Sequence, residues 1–230
     1  MRAIRVALFS IALGALQVTF AQTQAGKRDA GGYPAPTAEL ERGRTIYVVS
    51  SCHFCHGIDL TGAAMGAADL MHLPLVGRDE GGTLIGPIVL KGLPNLQTAM
   101  PQYSDYTPQQ ISDLAAYVHY LRQQGRYKEL SALKDAGTGD AKAGQAYFNG
   151  AAGCSGCHKA SSPDGDLAGI ASKYDDATLR NRMLRPGPED AIAQAGTSPG
   201  LVAHLKLLER YSDADVRNLL AFLKTRGEEK

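Results

Sequence analysis

Two stretches place apolar side chains at helical spacing, and they stand about a hundred residues apart. Ile111, Leu114, Ala115, Val118 and Leu121 form one stripe, and Val216, Leu219, Leu220 and Leu223 form the other. Both begin on start signals. Thr107-Pro108-Gln109-Gln110 offers a capping threonine, a proline at the first turn and a glutamine able to close a capping box. Ser212-Asp213-Ala214-Asp215 offers a capping serine with acidic residues against the positive end of the helix. Ahead of each stripe lies a second matching pair. Gly43 and Tyr47, like Gly144 and Phe148, put an aromatic four residues after a glycine, on one helical face. Tyr117 and Phe222 fall at equivalent places, six residues after Ile111 and Val216. No alternating pattern competes, so the sequence predicts an all-α chain built from one unit repeated in tandem. Each unit runs helix, short motif, irregular middle, helix.

The rest of the chain is assigned around those units. Residues 1–21 read as a secretory signal: a basic start at Arg2 and Arg5, an apolar run from Val6 to Phe20, and a small-x-small site ending at Ala21. That run is shorter than the roughly 20 apolar residues a membrane-spanning helix needs, and no later segment is long and apolar enough to span a bilayer. Residues 22–37, rich in Gly, Gln, Pro and charge, read as a disordered tether. The first unit is placed at 38–125, a linker at 126–138 and the second unit at 139–228. Export predicts a periplasmic location. Loss of Arg2 and Arg5 takes Lys+Arg from 24 to 22 against 23 Asp+Glu, a balance near −1. That balance argues against a nucleic-acid partner, which would want a concentrated basic face.

The chemistry lies in the cysteines. All four fall in two motifs, Cys52-His53-Phe54-Cys55-His56 and Cys154-Ser155-Gly156-Cys157-His158. A CxxCH sets two thiols one helical turn apart, able to add to the two vinyl groups of one porphyrin. The adjacent imidazole, His56 or His158, then reaches the iron as proximal ligand. The motifs therefore predict two covalently attached haems c, through Cys52 and Cys55 and through Cys154 and Cys157. A shared zinc site is disfavoured by the 98 residues between Cys55 and Cys154. Local disulfides would not require a histidine after each pair. A thioredoxin-like dithiol wants a βαβ context, which is absent.

Each iron needs a sixth ligand or an open position. In the first unit Met100, followed by Pro101, lies in a loop ahead of the closing helix and offers a soft thioether. Met65 and Met71 are rivals, and Met100 could instead fill a gap in the core. The second unit has no Met-Pro. Aligning Val216 with Ile111 sets Leu205 opposite Met100, which leaves His204, Met183 or an open site. His204 is the first choice. The remaining histidines, His53, His72 and His119, receive no ligand role, and the last two read as surface residues.

With these motifs in place the chain resembles class I c-type cytochromes in a tandem di-haem form. The resemblance rests on Gly43 with Tyr47 and Gly144 with Phe148, both CxxCH motifs, Met100-Pro101, and the closing aromatics Tyr117 and Phe222. It implies two cytochrome c-like helical domains, each wrapped around one covalent haem, with the first and last helices crossing at the glycine. The family usually carries a Gly-Pro-x-Leu whose carbonyl orients the proximal histidine. Gly66-Ala67-Ala68-Asp69-Leu70 and Gly165-Asp166-Leu167 lack that proline. More loosely, the chain is similar to small cytochromes that accept electrons from periplasmic quinoprotein dehydrogenases. The resemblance implies an electron carrier with redox protein partners, such as a periplasmic dehydrogenase and a terminal oxidase. A di-haem enzyme, a peroxidase or sulfur-compound oxidase with an open second iron, is the alternative.

Overall fold

In the computed structural model, the residues described are 37–62, 67–95, 99–134, 138–162, 165–186 and 199–227. The expected signal segment, nearly all of the expected tether, and Met65 lie outside them. Among the described residues the chain is helical, and its one β feature is a bridge pairing Leu93 with Met100. No described helix is long and apolar enough to cross a membrane.

The first unit is framed by α1 (Ala38–Val49) and α5 (Pro108–Ser131), with α2 (Cys52–His56), α3 (Pro74–Arg78) and α4 (Ile85–Lys91) between them. Thr37 caps α1, and Thr107 with Gln110 closes the expected capping box on α5. The two framing helices touch at Gly43, where an added Cβ would lie 2.7 Å from Tyr117 Cβ and overlap the Asp113 carbonyl. That closeness lets the Tyr47 and Tyr117 rings pack with centroids 5.7 Å apart. A bidentate pair spans the same crossing. Arg42 donates to the buried Asp113 at 2.7 and 2.8 Å, which holds that carboxyl below its usual range.

The second unit repeats this frame with α6 (Ala141–Asn149) and α10 (Asp213–Thr225), enclosing α7 (Cys154–Cys157), a 3₁₀ turn (Ile170–Ser172), α8 (Asp176–Leu184) and α9 (Pro199–Leu208). Gly144 lies against Asn218 and Phe222, and the Phe148 and Phe222 rings pack at 5.3 Å. Ser212 caps α10 as expected, and Asp215 closes a capping box with it.

Two features exceed the sequence expectation. The middles read as irregular contain α3, α4, α8 and α9, which are short and start on local signals such as Pro74 and the capping Asp175. Helix α5 also continues to Ser131, into the stretch read as a linker. Its Leu130 is fully buried in the second core, beside Leu179, Leu184 and Leu208. One helix thus serves both cores, and the units meet along it. The pairs Arg122 with Glu209, Lys206 with Glu80, and Arg210 with the Gly77 carbonyl cross between them.

Candidate haem sites

Each CxxCH turn begins from a residue in the left-handed region, Ser51 (φ 64°) and Gly153 (φ 66°). In the first unit the turn presents Cys52 and His56 to an apolar cavity also walled by Tyr47, Leu70, Val76 and Met100. Its empty space is about 690 Å³, part of it open to solvent. Burial pushes the Cys52 thiol up to about 11, and it raises Cys154 as well. A thiol so held is protonated at neutral pH, which is unfavourable for a redox or nucleophilic role. All four cysteines are unpaired, and Cys52 and Cys154 line different cavities.

His56 Nδ1 lies 3.0 Å from the Ala68 carbonyl. As Nδ1–H donates there, Nε2 keeps the lone pair a metal needs. The contact that the missing proline left unassigned is therefore made by alanine. Only the carbonyl is required, so residue type gave no signal for it. Met100 is fixed from both sides of its peptide: Leu93 N–H donates to the Met100 carbonyl at 2.9 Å, and Met100 N–H to the Leu93 carbonyl at 3.3 Å. This tie brings the Met100 side chain into the cavity. Met71 is placed elsewhere, buried with its sulfur and methyl against Gly125 on α5.

The second cavity has about 790 Å³ of empty space and is lined by Cys154, His158, Met183 and His204 together. Both rival ligands thus reach it. The His158 and His204 rings have centroids 6.1 Å apart with planes at 77°. Two imidazoles on one metal, each bonded at roughly 2.0–2.1 Å, place their ring centres about 6 Å apart. His204 Nδ1 lies 2.7 Å from the Met183 carbonyl, to which Nδ1–H donates as it does in His56. His158 differs from His56 in that its Nδ1 is buried with no hydrogen-bond partner.

Sequence reading missed three further residues of this second site. Tyr211 is buried at the wall of the cavity, and burial drives its hydroxyl pKa far above the usual range. Arg182 also lines the cavity, stacked 4.5 Å over the Tyr174 ring. An isolated Arg, Tyr or Tyr carries no spacing signal, so none could be found by pattern. Of the other histidines, His53 packs on Phe54, and His72 is half-exposed between Asp69 and Glu129. His119 is not the surface residue expected. It is largely buried between Asp79 at 3.2 Å and Glu209 at 2.6 Å, because the second unit closes over it.

These features define a class of protein: two small helical units, each with a CxxCH turn whose first cysteine and histidine line an apolar slot. The residues fit an iron porphyrin in both places. The family model described as Cytochrome c matches residues 40–122 and again 141–227. The chain belongs to the cytochrome c family, as two domains in tandem, and domains of this family bind haem c covalently and transfer electrons. Comparisons with curated proteins and with solved structures gave no match.

Proposed function

We propose that the protein is an exported, periplasmic electron carrier with two haems c of different axial ligation, passing electrons from a dehydrogenase to a terminal acceptor. Cys52 and Cys55 would attach the first haem, and His56 and Met100 would hold its iron. Cys154 and Cys157 would attach the second, with His158 and His204. When bound, each haem supplies reversible one-electron chemistry at iron, and the protein supplies ligands, orientation and a dry pocket. The Ala68 and Met183 carbonyls fix His56 and His204 in the tautomer that ligates. Arg182 is the cation available to a haem carboxylate at the second site.

The observation that carries this reading is the 6.1 Å approach of His158 and His204. If His158 and His204 both held the second iron, no position on it would stay open, and an oxidase or peroxidase needs one. Around the first motif Val49, Phe54 and Ile58 stand exposed, apolar ground of the kind that partner proteins cover. Haem stoichiometry with a stepwise redox titration tests the reading. Two covalent haems and two separate one-electron steps are expected, the higher belonging to the thioether-ligated iron. A single haem, or fast cyanide binding to the resting protein, would contradict it.

A further inference from the structure

The two cavities are joined by a continuous run of bonds that passes through one buried guanidinium. It starts at His56, whose Nδ1 bonds the Ala68 carbonyl at 3.0 Å. Two residues on, the Leu70 carbonyl accepts from Arg122 NH1 at 2.6 Å. The other terminal nitrogen, NH2, donates to the Glu209 carbonyl at 2.8 Å. Glu209 follows directly on helix α9, which carries His204, and lies two residues before Tyr211 at the wall of the second cavity. Arg122 is 3% exposed. Its aliphatic stem leaves α5 between the units, and Gly77 makes room for the bridge. A Cβ at that glycine would come within 2.9 Å of the Glu209 carbonyl and 3.0 Å of Arg122 NH2.

We propose that Arg122 is the electron bridge between the two haem-bearing units, coupling the first unit's proximal histidine to the second unit's cavity through its two carbonyl hydrogen bonds. Tunnelling falls off more slowly through bonded and hydrogen-bonded atoms than across gaps. The transfer moves one electron and no proton. With both haems bound, the electron lost by the second unit's haem would be the one gained by the first unit's, and Arg122 would stay protonated because a guanidinium does not titrate in this range. The bridge rests on His56 ligating the first iron.

Two neighbouring contacts are weaker candidates. Arg126 donates to the Tyr211 carbonyl at 2.6 Å, but its other partner, Glu129, is a side chain of its own helix and not a carbonyl leading to the first cavity. Arg210 does join the units, donating to the Gly77 carbonyl at 3.0 Å, yet its side chain is 42% exposed. Of these three, Arg122 is the planar fork that holds a carbonyl from each unit at once.

The test is inter-haem electron transfer in the full two-haem protein, followed optically after pulse reduction, with both potentials and the solution scattering profile measured alongside. Arg122→Met should slow the transfer by at least an order of magnitude at unchanged potentials and unchanged scattering. Arg122→Lys keeps the charge but cannot span both carbonyls, so it should also be slow; it carries the measurement if the methionine variant does not fold. Arg210→Met should leave the rate nearly unchanged. An unchanged rate in either Arg122 variant overturns the proposal, as does slowing seen only with an expanded scattering profile, or a larger loss in Arg210→Met. Failure of His56 ligation shows separately, as a wild-type spectrum without two six-coordinate low-spin haems.

Discussion

The two units have one frame and two different interiors. Gly43 with Tyr47 against Tyr117, and Gly144 with Phe148 against Phe222, are the same helix crossing made twice. Inside, the hydrogen-bond anchor changes sides. The first unit holds His56 on the Ala68 carbonyl and brings the Met100 thioether to the same cavity. The second leaves His158 Nδ1 without a partner and anchors the opposite histidine, His204, on the Met183 carbonyl. A frame made of backbone contact can be copied while ligand chemistry is changed by single residues. Thioether favours ferrous iron more than imidazole does, so the two sites should settle at different potentials and give electrons a direction.

The comparison breaks most completely if one haem is removed. Cys154→Ala with Cys157→Ala should leave one covalent haem by mass spectrometry and unfold the C-terminal unit, whose small core loses its largest apolar element. The N-terminal unit should keep its haem.

Met100→Ala attacks the difference in ligands. A near-infrared sulfur-to-iron band should vanish and the higher redox step should fall, with the lower step unmoved. An unchanged spectrum would return Met100 to core packing.

The likeness of the frames is tested by Gly43→Ala and Gly144→Ala. Each added methyl meets a carbonyl of the facing helix, and each should cost roughly 1–3 kcal/mol or more, read as a lowered thermal midpoint. Markedly unequal losses would show that the crossings are not equivalent.

The smallest effect concerns how the units are held together. Burial alone would lower the His119 pKa, but the Glu209 and Asp79 carboxylates outweigh it and raise it. A raised folded pKa means the stabilisation is fully present below about pH 6.5, the unfolded value, and is lost as pH rises through the folded one. His119→Gln should therefore cost about 1–2 kcal/mol in mildly acidic buffer, and less as pH rises. A penalty that grows with pH would contradict the sign.

The frame was legible because it depends on periodicity, capping residues and paired glycines, which repeat. The attachment turns were legible because thiol spacing is itself chemistry. What escaped has no period. The Ala68 and Met183 carbonyls act through backbone, which any residue supplies. Arg122, Glu209 and His119 meet only because the second unit closes on α5, and nothing local in the sequence marks them. The stretch from Arg126 to Ser131 resembled a linker because its apolar residues face a core other than the one its helix began on.

Unlike ligands at the two irons are read most directly by electron paramagnetic resonance of the oxidised protein. Wild type should show two distinct low-spin signals and no high-spin signal, and His204→Ala should convert only one of them to high spin. A high-spin signal already present in wild type and unaltered by His204→Ala would contradict the assignment.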